Sequence, residues 1–303
     1  MTEPVRPTSR NGGRVVVGLD GSDSAWHALD RAVGEARRRG ATLEIVHAWP
    51  WARTDPLAFD ADTEPQRPPV EVARTVLRLA MSRAAEQDPG LRIVPTLTPQ
   101  DAVPELLRIG ERASLIVIGT RGLGGFTGLL LGSVGLRLAA HTHRPLLVVR
   151  GDTPAPAYGP EGHGKVLVGV ESGADEAAAR YGFEDAIRRR ARLRVLYAWA
   201  RPRLFAGDHA LPSREAVALR AERDQEVTYR VVAALREEFG QVRVQEHTTH
   251  TAPAQALVEA SRAADVLVLA VQRRTARLGM QLGPVTHAVL HHAHCPVVLV
   301  PVG

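Results

Sequence analysis

A glycine-rich stretch at residues 118–134 is the part of the sequence whose residue types and spacing best fit ligand chemistry. It reads IGTRGLGGFTGLLLGSV and contains six glycines and no acidic residue. Because glycine has no Cβ, this backbone can approach a ligand closely and point several N–H groups at it. A helix that begins near Ser133 would add the partial positive charge of its N-terminus. These features predict a binding site for a phosphate chain.

The elements on either side of this loop indicate how it is positioned. Leu115 to Ile118 form a continuous apolar run, which is typical of a strand buried on both faces of a parallel sheet. The residues after Ser133 predict a helix with Ser133 as its N-cap. The loop is not a Walker loop, since the only lysine of the chain is Lys165. It follows the fourth predicted strand and not the first, so it is also a poor dinucleotide fingerprint.

The spacing of this loop resembles the nucleotide loop of the universal stress protein family, Gly-x2-Gly-x9-Gly-Ser. Gly119, Gly122, Gly132 and Ser133 meet that spacing in full. The resemblance implies that these four residues bind the phosphates, with Arg121 and Val134 as flanking contacts. The alternative is a flexible glycine hairpin that carries no ligand.

The same resemblance implies two further contacts in the first half of the chain. Asp20 would hold the nucleoside through its ribose, and Ala48 would meet the adenine with its backbone. Three of the implied contacts also have a structural interpretation. Asp20 could cap the first helix, Ala48 could be a core residue, and Arg121 could be a solvated loop residue.

An internal repeat divides the chain. RVVVGLD at residues 14–20 matches KVLVGVE at residues 165–171, an offset of 151, and residues 128–148 match residues 279–299 at the same offset. LEIVHAW at residues 43–49 matches LRVLYAW at residues 193–199 at an offset of 150. We therefore expect two homologous domains, at residues 1–151 and 164–303, joined by a Pro/Gly-rich linker at residues 152–163.

Each half alternates predicted strands and helices, which predicts an α/β fold of two tandem, doubly wound, parallel five-stranded sheets of Rossmann-like type. The family resemblance implies the strand order 3-2-1-4-5. In that order the ends of strands one and four are neighbours, so Asp20 and Gly119 would face one crevice. The predicted strands of the first half are Val15–Val17, Thr42–Ala48, Leu91–Leu97, Leu115–Ile118 and Leu146–Val149. The predicted helices before the glycine loop are Asp23–Arg39, Val70–Glu86 and Val103–Arg112, with a loop at Pro50–Pro69.

The second half departs from the nucleotide pattern. Glu171 replaces Asp20, and only Gly283 keeps its glycine. Ala270, Arg273 and Pro284 stand opposite Gly119, Gly122 and Ser133. A proline at the helix start removes an N–H donor. We therefore expect one nucleotide site per chain, with the second half as a degenerate partner domain.

Two other kinds of site have weaker support. His287, His291, His292, His294 and Cys295 have the residue types of a metal site, but the matching region of the first half has only His141 and His143. We expect a solvated helix end there and no metal bound by protein side chains. The net charge of +5 would suit nucleic acid, but an aromatic content of 4% leaves little to stack bases on. The arginine clusters Arg37–Arg39 and Arg188–Arg190 are expected on solvated helix faces.

The composition predicts a soluble cytoplasmic protein that does not insert into membranes. The chain has no run of 18 apolar residues, and its N-terminus lacks an apolar signal core. Its single cysteine, Cys295, rules out an internal disulfide and fits a reducing compartment.

The resemblance implies a regulatory ATP-binding protein of stress adaptation or dormancy, with Mg²⁺ arriving on the phosphates. No catalytic residue is assigned, and at most slow ATP hydrolysis is expected. Two alternatives remain: an ATP-consuming enzyme related to ATP pyrophosphatases, whose loop the stretch Asp20–Ser24 faintly resembles, and a nucleotide-free interaction module. The halves are expected to pair through Leu146–Val149 and Val297–Val300, as the family resemblance implies. A homodimer of whole chains and an unidentified protein partner are further expectations.

Overall fold

The computed structural model describes residues 13–49, 69–120, 131–150, 162–199, 230–272 and 282–302. Within them the strands are β1 (Arg14–Gly18), β2 (Thr42–Ala48), β3 (Ile93–Thr98), β4 (Leu115–Gly119), β5 (Leu146–Val149), β6 (Lys165–Val170), β7 (Arg192–Ala198), β8 (Val244–Thr249), β9 (Val266–Gln272) and β10 (Val297–Val302). These strands form one continuous sheet in the order β3-β2-β1-β4-β5-β10-β9-β6-β7-β8. The predicted order 3-2-1-4-5 is therefore confirmed in the first half, and the second half repeats it.

The described helices are α1 (Asp23–Arg39), α2 (Pro69–Gln87), α3 (Ala102–Gly110), α4 (Ser133–His141), α5 (Glu176–Arg189), α6 (230–238), α7 (Pro253–Ser261) and α8 (Pro284–His292). A 3-10 turn at Gly173–Asp175 precedes α5. The prediction for α1 is confirmed at both ends. The prediction that Ser133 caps α4 is wrong, because Gly132 is the N-cap and Ser133 is the first helical residue. The predicted loop at residues 50–69 lies, apart from Pro69, outside the described residues.

The two halves join edge to edge. Strands β5 and β10 pair antiparallel, with Val148 opposite Val297 and Leu146 opposite Leu299. The other pairings among the described strands are parallel, as strand–helix–strand crossovers require. The expected pairing of the halves through these two strands is therefore present in the structure.

The helices cover both faces of this sheet, and each face has one core that runs through both halves. Alternate strand residues supply the two cores, so Val15 and Val17 face α1 and α2 whereas Val16 faces α3 and α4. Helices α5 and α6 continue the first layer, and α7 and α8 continue the second. The central strands are thus screened from water on both faces, which explains their nearly continuous apolar sequences, whereas the edge strand β8 has exposed polar residues.

Helices α1 and α5 meet at the junction of the halves through a buried ion-pair cluster. Glu35 pairs with Arg39 of its own helix and with Arg189 of α5, while Asp185 of α5 pairs with Arg189 and lies 3.6 Å from Arg39. The side chains of Arg39 and Arg189 are only 5% and 8% exposed. The expectation that both arginine clusters lie on solvated faces is therefore wrong for these two residues.

Candidate functional site

Six of the eight predicted site residues belong to the part of the chain that the structure describes, and they lie at the carboxyl edge of the sheet. Strand β1 pairs with β2 on one side and with β4 on the other, so the segments that follow these three strands are adjacent. Asp20, Ala48 and Gly119 lie at or just beyond these strand ends. The chain leaves β1 toward the helix layer of α1 and leaves β4 toward that of α4, which opens a crevice between β1 and β4.

Asp20 shapes the turn that follows β1. Its Oδ1 accepts hydrogen bonds from the backbone N of Ser22, at 3.0 Å, and from the Ser22 hydroxyl, at 2.6 Å. Gly21 has φ +91°, a conformation that side chains with a Cβ rarely adopt. Ser22 and not Asp20 caps α1, since its hydroxyl accepts from Ala25 N. The half-buried Asp20 carboxylate therefore lies at the mouth of the crevice and holds the turn.

A buried histidine, which the sequence analysis missed, fixes the ends of β1 and β2 to one another. The Nδ1 atom of His47 lies 2.6 Å from the carbonyl oxygen of Leu19. Because a carbonyl only accepts hydrogen bonds, this Nδ1 carries the proton. Ala48 follows directly, in register with Thr98 of β3. A histidine next to the apolar pair Ile45–Val46 of a predicted strand was the available signal for His47.

Gly119 ends β4 against the first turn of α1. A Cβ built on Gly119 would lie 2.6 Å from the backbone carbonyl carbon and oxygen of Ser24. Beyond it, Thr120 N donates to Val149 O at 3.0 Å, and Gly132 N donates to Thr120 O at 2.7 Å. Thr120 before the glycine loop and Gly132 near its end are therefore joined directly by a hydrogen bond. Two predicted phosphate-site residues in this loop, Arg121 and Gly122, lie outside the described residues.

The start of α4 supplies backbone donors at the same edge. Gly132 is extended, with φ −66° and ψ 163°, and its carbonyl accepts from Leu136 N at 3.1 Å. Ser133 is exposed and Val134 is half-buried. As in any α-helix, the N–H groups of the first turn have no intrahelical acceptor, and the helix dipole makes this end partly positive. The arrangement can receive an anion.

The second half arranges the matching edge differently. The Asp175 carboxylate accepts hydrogen bonds from the backbone N of Glu171, at 2.6 Å, and of Ser172, at 2.8 Å. Pro284 is the first residue of α8 and has no N–H. Ala270 replaces the glycine that ends β4, whereas Arg273 lies outside the described residues. The Asp175 carboxylate thus already accepts from the two backbone N–H groups that follow β6. Helix α8 offers one backbone donor fewer than α4.

A cleft of about 850 Å³ adjoins the crevice on the side of α1 and α2. Its described lining residues are Ser22, Asp23, Ser24, Trp26, His27, Leu79, Ser82, Arg83, Glu86 and Thr120. None of the eight predicted site residues is among them, although Ser22, Ser24 and Thr120 neighbour Asp20 and Gly119. The cleft belongs to the first half and was not predicted from the sequence.

The histidines near the end of α8 do not form a metal centre in the part of the chain that the structure describes. No group of three or more His, Cys, Asp or Glu side chains is placed there to hold a metal ion. His287 and His291 stack with their ring centroids 4.2 Å apart, and burial together with the neighbouring histidines lowers the pKa of His291.

None of the described helices combines the length and the apolar character needed to cross a lipid bilayer.

Comparison with known proteins identifies the family to which the chain is similar. The model of the universal stress protein family matches the chain twice, at residues 13–150 and 162–301. Universal stress protein Rv2005c of Mycobacterium tuberculosis is 30% identical over 314 residues, which covers 97% of this chain and 98% of that protein. Universal stress protein Rv1996 of the same organism is 27% identical over 306 residues and covers 94% of each chain.

A solved structure supports the fold over the same length. The crystal structure of a universal stress protein from Archaeoglobus fulgidus superposes with a TM-score of 0.65 and 17% sequence identity, covering 97% of this chain and 98% of that chain. With two matches to the family model that together span nearly the whole sequence, the chain belongs to the universal stress protein family as a tandem two-domain member.

Proposed function

We propose that the protein binds ATP with Mg²⁺ at one site, in the domain of residues 1–151, and acts as a nucleotide-regulated cytoplasmic protein of the stress response or dormancy. The observation that carries this proposal is the convergence of Asp20, Ala48, Gly119 and the start of α4 at one crevice. Family membership supports the physiological setting.

Each part of the crevice has a distinct task in this proposal. The Asp20 carboxylate accepts hydrogen bonds from the ribose hydroxyls while its turn stays fixed through Ser22. The backbone at Ala48 meets the adenine. Ser133 and Val134 donate backbone N–H groups to the phosphates, and Arg121 and Gly122 act with them. The metal ion is held by the phosphate oxygens and water, because Mg²⁺ keeps much of its hydration shell.

The domain of residues 164–303 takes no nucleotide in this proposal. Asp175 accepts from the two backbone amides that follow β6, so a phosphate group placed there would meet a carboxylate. Pro284 cannot donate from the first position of α8. Like-charge repulsion and a missing donor both disfavour a phosphate chain.

Binding without rapid turnover is the expected mode of action. The carboxylate at the crevice, Asp20, already accepts two hydrogen bonds from Ser22 through one oxygen. A general base for hydrolysis must instead take a proton from the attacking water. We therefore expect ATP to remain intact on the protein over hours.

Calorimetric titration of Mg·ATP into the wild type, Gly132→Arg and Gly283→Arg tests which domain binds the nucleotide and how many sites each chain has. Both glycines are helix N-caps with ordinary φ angles, −66° and −61°, so arginine introduces no backbone strain at either position. The expected result is one site per chain, abolished by Gly132→Arg and unchanged by Gly283→Arg. Two sites per chain, or equal affinity in Gly132→Arg, would contradict the proposal.

Analysis of the nucleotide after each titration separates the alternatives. Intact ATP supports a nucleotide-regulated protein, and rapid conversion to products would make the protein an enzyme. Absence of binding to the wild type would leave a nucleotide-free interaction module. Sedimentation velocity with and without Mg·ATP checks whether whole chains form a homodimer.

A further inference from the structure

A second cleft lies at the opposite, amino edge of the sheet, where the two halves meet. It encloses about 490 Å³ and is lined by Arg38, Arg39, Ala113, Ser114, Arg144, Pro145, Tyr181, Glu184 and Arg188. Ala113 and Ser114 precede β4, and Pro145 precedes β5, so this cleft and the crevice for ATP lie at opposite ends of the same strands. A volume of this size is within the range of small-molecule sites.

Positive charge is in excess in and directly behind this cleft. Five guanidinium groups meet three carboxylates there: Arg38, Arg39, Arg144, Arg188 and Arg189 against Glu35, Glu184 and Asp185. Each of the three carboxylates already accepts from at least one of these arginines. The net positive charge of a partly enclosed cleft attracts anions more strongly than the same charge in open water.

Three of the arginines have donors that the described protein groups do not satisfy. One of them is Arg188, whose Nη1 atom is buried and has no hydrogen-bond partner among the described residues. The Nε atom of Arg38 is buried and has no hydrogen-bond partner among the described residues. Arg144 is exposed, and its Nε donates to the backbone carbonyl of Glu111 at 3.0 Å, but it forms no ion pair with any described carboxylate. A buried N–H without an acceptor is costly, so an anion in the cleft that supplies one would bind favourably.

The remaining walls hold the guanidinium groups in place. Arg188 pairs with Glu184 at 2.5 Å and lies over the Tyr181 ring, 5.7 Å from its centroid. Arg39 donates to the Tyr181 hydroxyl at 2.8 Å. These contacts reduce the side-chain entropy that would be lost on binding. The cleft is therefore organised before any ligand arrives.

We infer that this cleft, lined by Arg38, Arg144 and Arg188, is a second ligand site that binds a small phosphorylated molecule carrying two or more negative charges. Planar guanidinium groups match the oxygens of a phosphate in pairs, which a single ammonium group does not. The cleft takes residues from both halves, so its ligand bridges α1 and α5. The inference does not depend on ATP binding at the other edge of the sheet.

Calorimetric titration with inorganic pyrophosphate tests the site in the full-length protein. The variants Arg144→Gln and Arg38→Gln each remove one charge from the cleft, and Arg74→Gln removes one from an exposed position on α2 as a matched control. Gly132→Arg obstructs the crevice at the carboxyl edge and serves as the second control. Far-ultraviolet circular dichroism checks that every variant folds.

We expect pyrophosphate to bind the wild type and Arg74→Gln alike, and Gly132→Arg to retain the site in this cleft. Arg144→Gln and Arg38→Gln should bind pyrophosphate in the cleft about tenfold more weakly or worse. Affinity should also fall with rising salt. The inference is overturned if pyrophosphate does not bind, if Gly132→Arg abolishes its binding while Arg144→Gln does not, or if Arg74→Gln weakens it as much as Arg144→Gln does.

Discussion

Gly119 and Ser24 touch so closely that the end of β4 and the first turn of α1 leave no room for a side chain between them. A methyl group on Gly119 would stand 2.6 Å from the Ser24 carbonyl oxygen. The second half has Ala270 at the matching position, and there a 3-10 turn replaces the first turn of the helix. Gly119 therefore has a packing role that is separate from any contact with phosphate.

Gly119→Ala is expected to lower the free energy of unfolding by about 1–3 kcal/mol, because the added methyl group overpacks a rigid contact between backbones. The matched control is Gly173→Ala. Gly173 has an ordinary φ and open space around its missing Cβ, so that variant should be neutral or slightly stabilising. Urea denaturation of both variants measures the difference. Equal stabilities would show that the contact at Gly119 relaxes freely.

Asp20→Asn separates the structural role of this side chain from a role in binding. Asparagine keeps the oxygen that accepts from Ser22, so the melting temperature should change little. It removes the negative charge, so affinity for Mg·ATP should fall about tenfold if the carboxylate receives the ribose hydroxyls. Glu171→Gln in the second half is the control and should leave affinity unchanged. If Asp20→Asn binds Mg·ATP with unaltered affinity, the role of Asp20 is to shape the turn and not to bind the nucleotide.

Glu35→Gln is expected to destabilise the protein by about 3–5 kcal/mol at pH 7, because it leaves buried arginines without their carboxylate. Glu35 pairs with Arg38, Arg39 and Arg189 and is 1% exposed. The control, Glu238→Gln, breaks a pair with Arg180 on the surface and should change the stability far less, because water screens that pair. Chemical denaturation of both variants measures the two losses. A similar small loss in both would mean that the buried pair contributes no more than the surface pair.

Acid should remove the contribution of Glu35 to the free energy of unfolding. Burial raises the pKa of this carboxyl, but the nearby Arg189, Arg39, Arg38 and Arg31 outweigh burial and hold the pKa well below its usual value of 4.5. A pKa that is lower in the folded protein than in the unfolded chain gives stability above the unfolded pKa of about 4.3, and that stability is lost as the pH falls through the folded pKa. The gap in unfolding free energy between the wild type and Glu35→Gln should therefore be constant near neutral pH and narrow below about pH 4. A gap that does not change with pH would contradict this assignment.

Cys295 should be inert in the folded protein. Its side chain is buried, and burial raises the pKa of the thiol to about 12, so almost no thiolate exists at pH 7. We expect no reaction with a thiol-specific disulfide reagent in buffer and one equivalent of reaction per chain in denaturant. Rapid labelling of the native protein would show that β10 opens locally.

Local signals in the sequence were strong enough to predict α1 from Asp23 to Arg39. Ser22 is a preferred N-cap, and Gly40 adopts the left-handed conformation, φ 59°, that commonly ends a helix. The start of α4 was predicted one residue late because Gly132 and Ser133 are both acceptable N-caps. In the structure Gly132 N donates to Thr120 O, a contact between segments that a local sequence pattern does not contain.

The contacts between the halves were the hardest to predict from the sequence. Arg189 and Glu35 are 154 residues apart, and each helix on its own shows a charged C-terminal turn of the kind that normally faces water. The family resemblance implied that β5 and β10 would pair, but not which helix faces that pairing would cover. His47 was missed for a related reason, since its partner Leu19 directly follows the neighbouring strand β1 and is 28 residues away in the sequence.

The antiparallel pairing of β5 with β10 joins two unlike domains within one polypeptide. An assembly of separate chains would dissociate on dilution, and its composition would vary with the supply of each subunit. Here the proportion of the two domains is one to one at every expression level, and dilution does not separate them. The second domain is therefore free to change its carboxyl edge in evolution while it still covers the edge strand of the first.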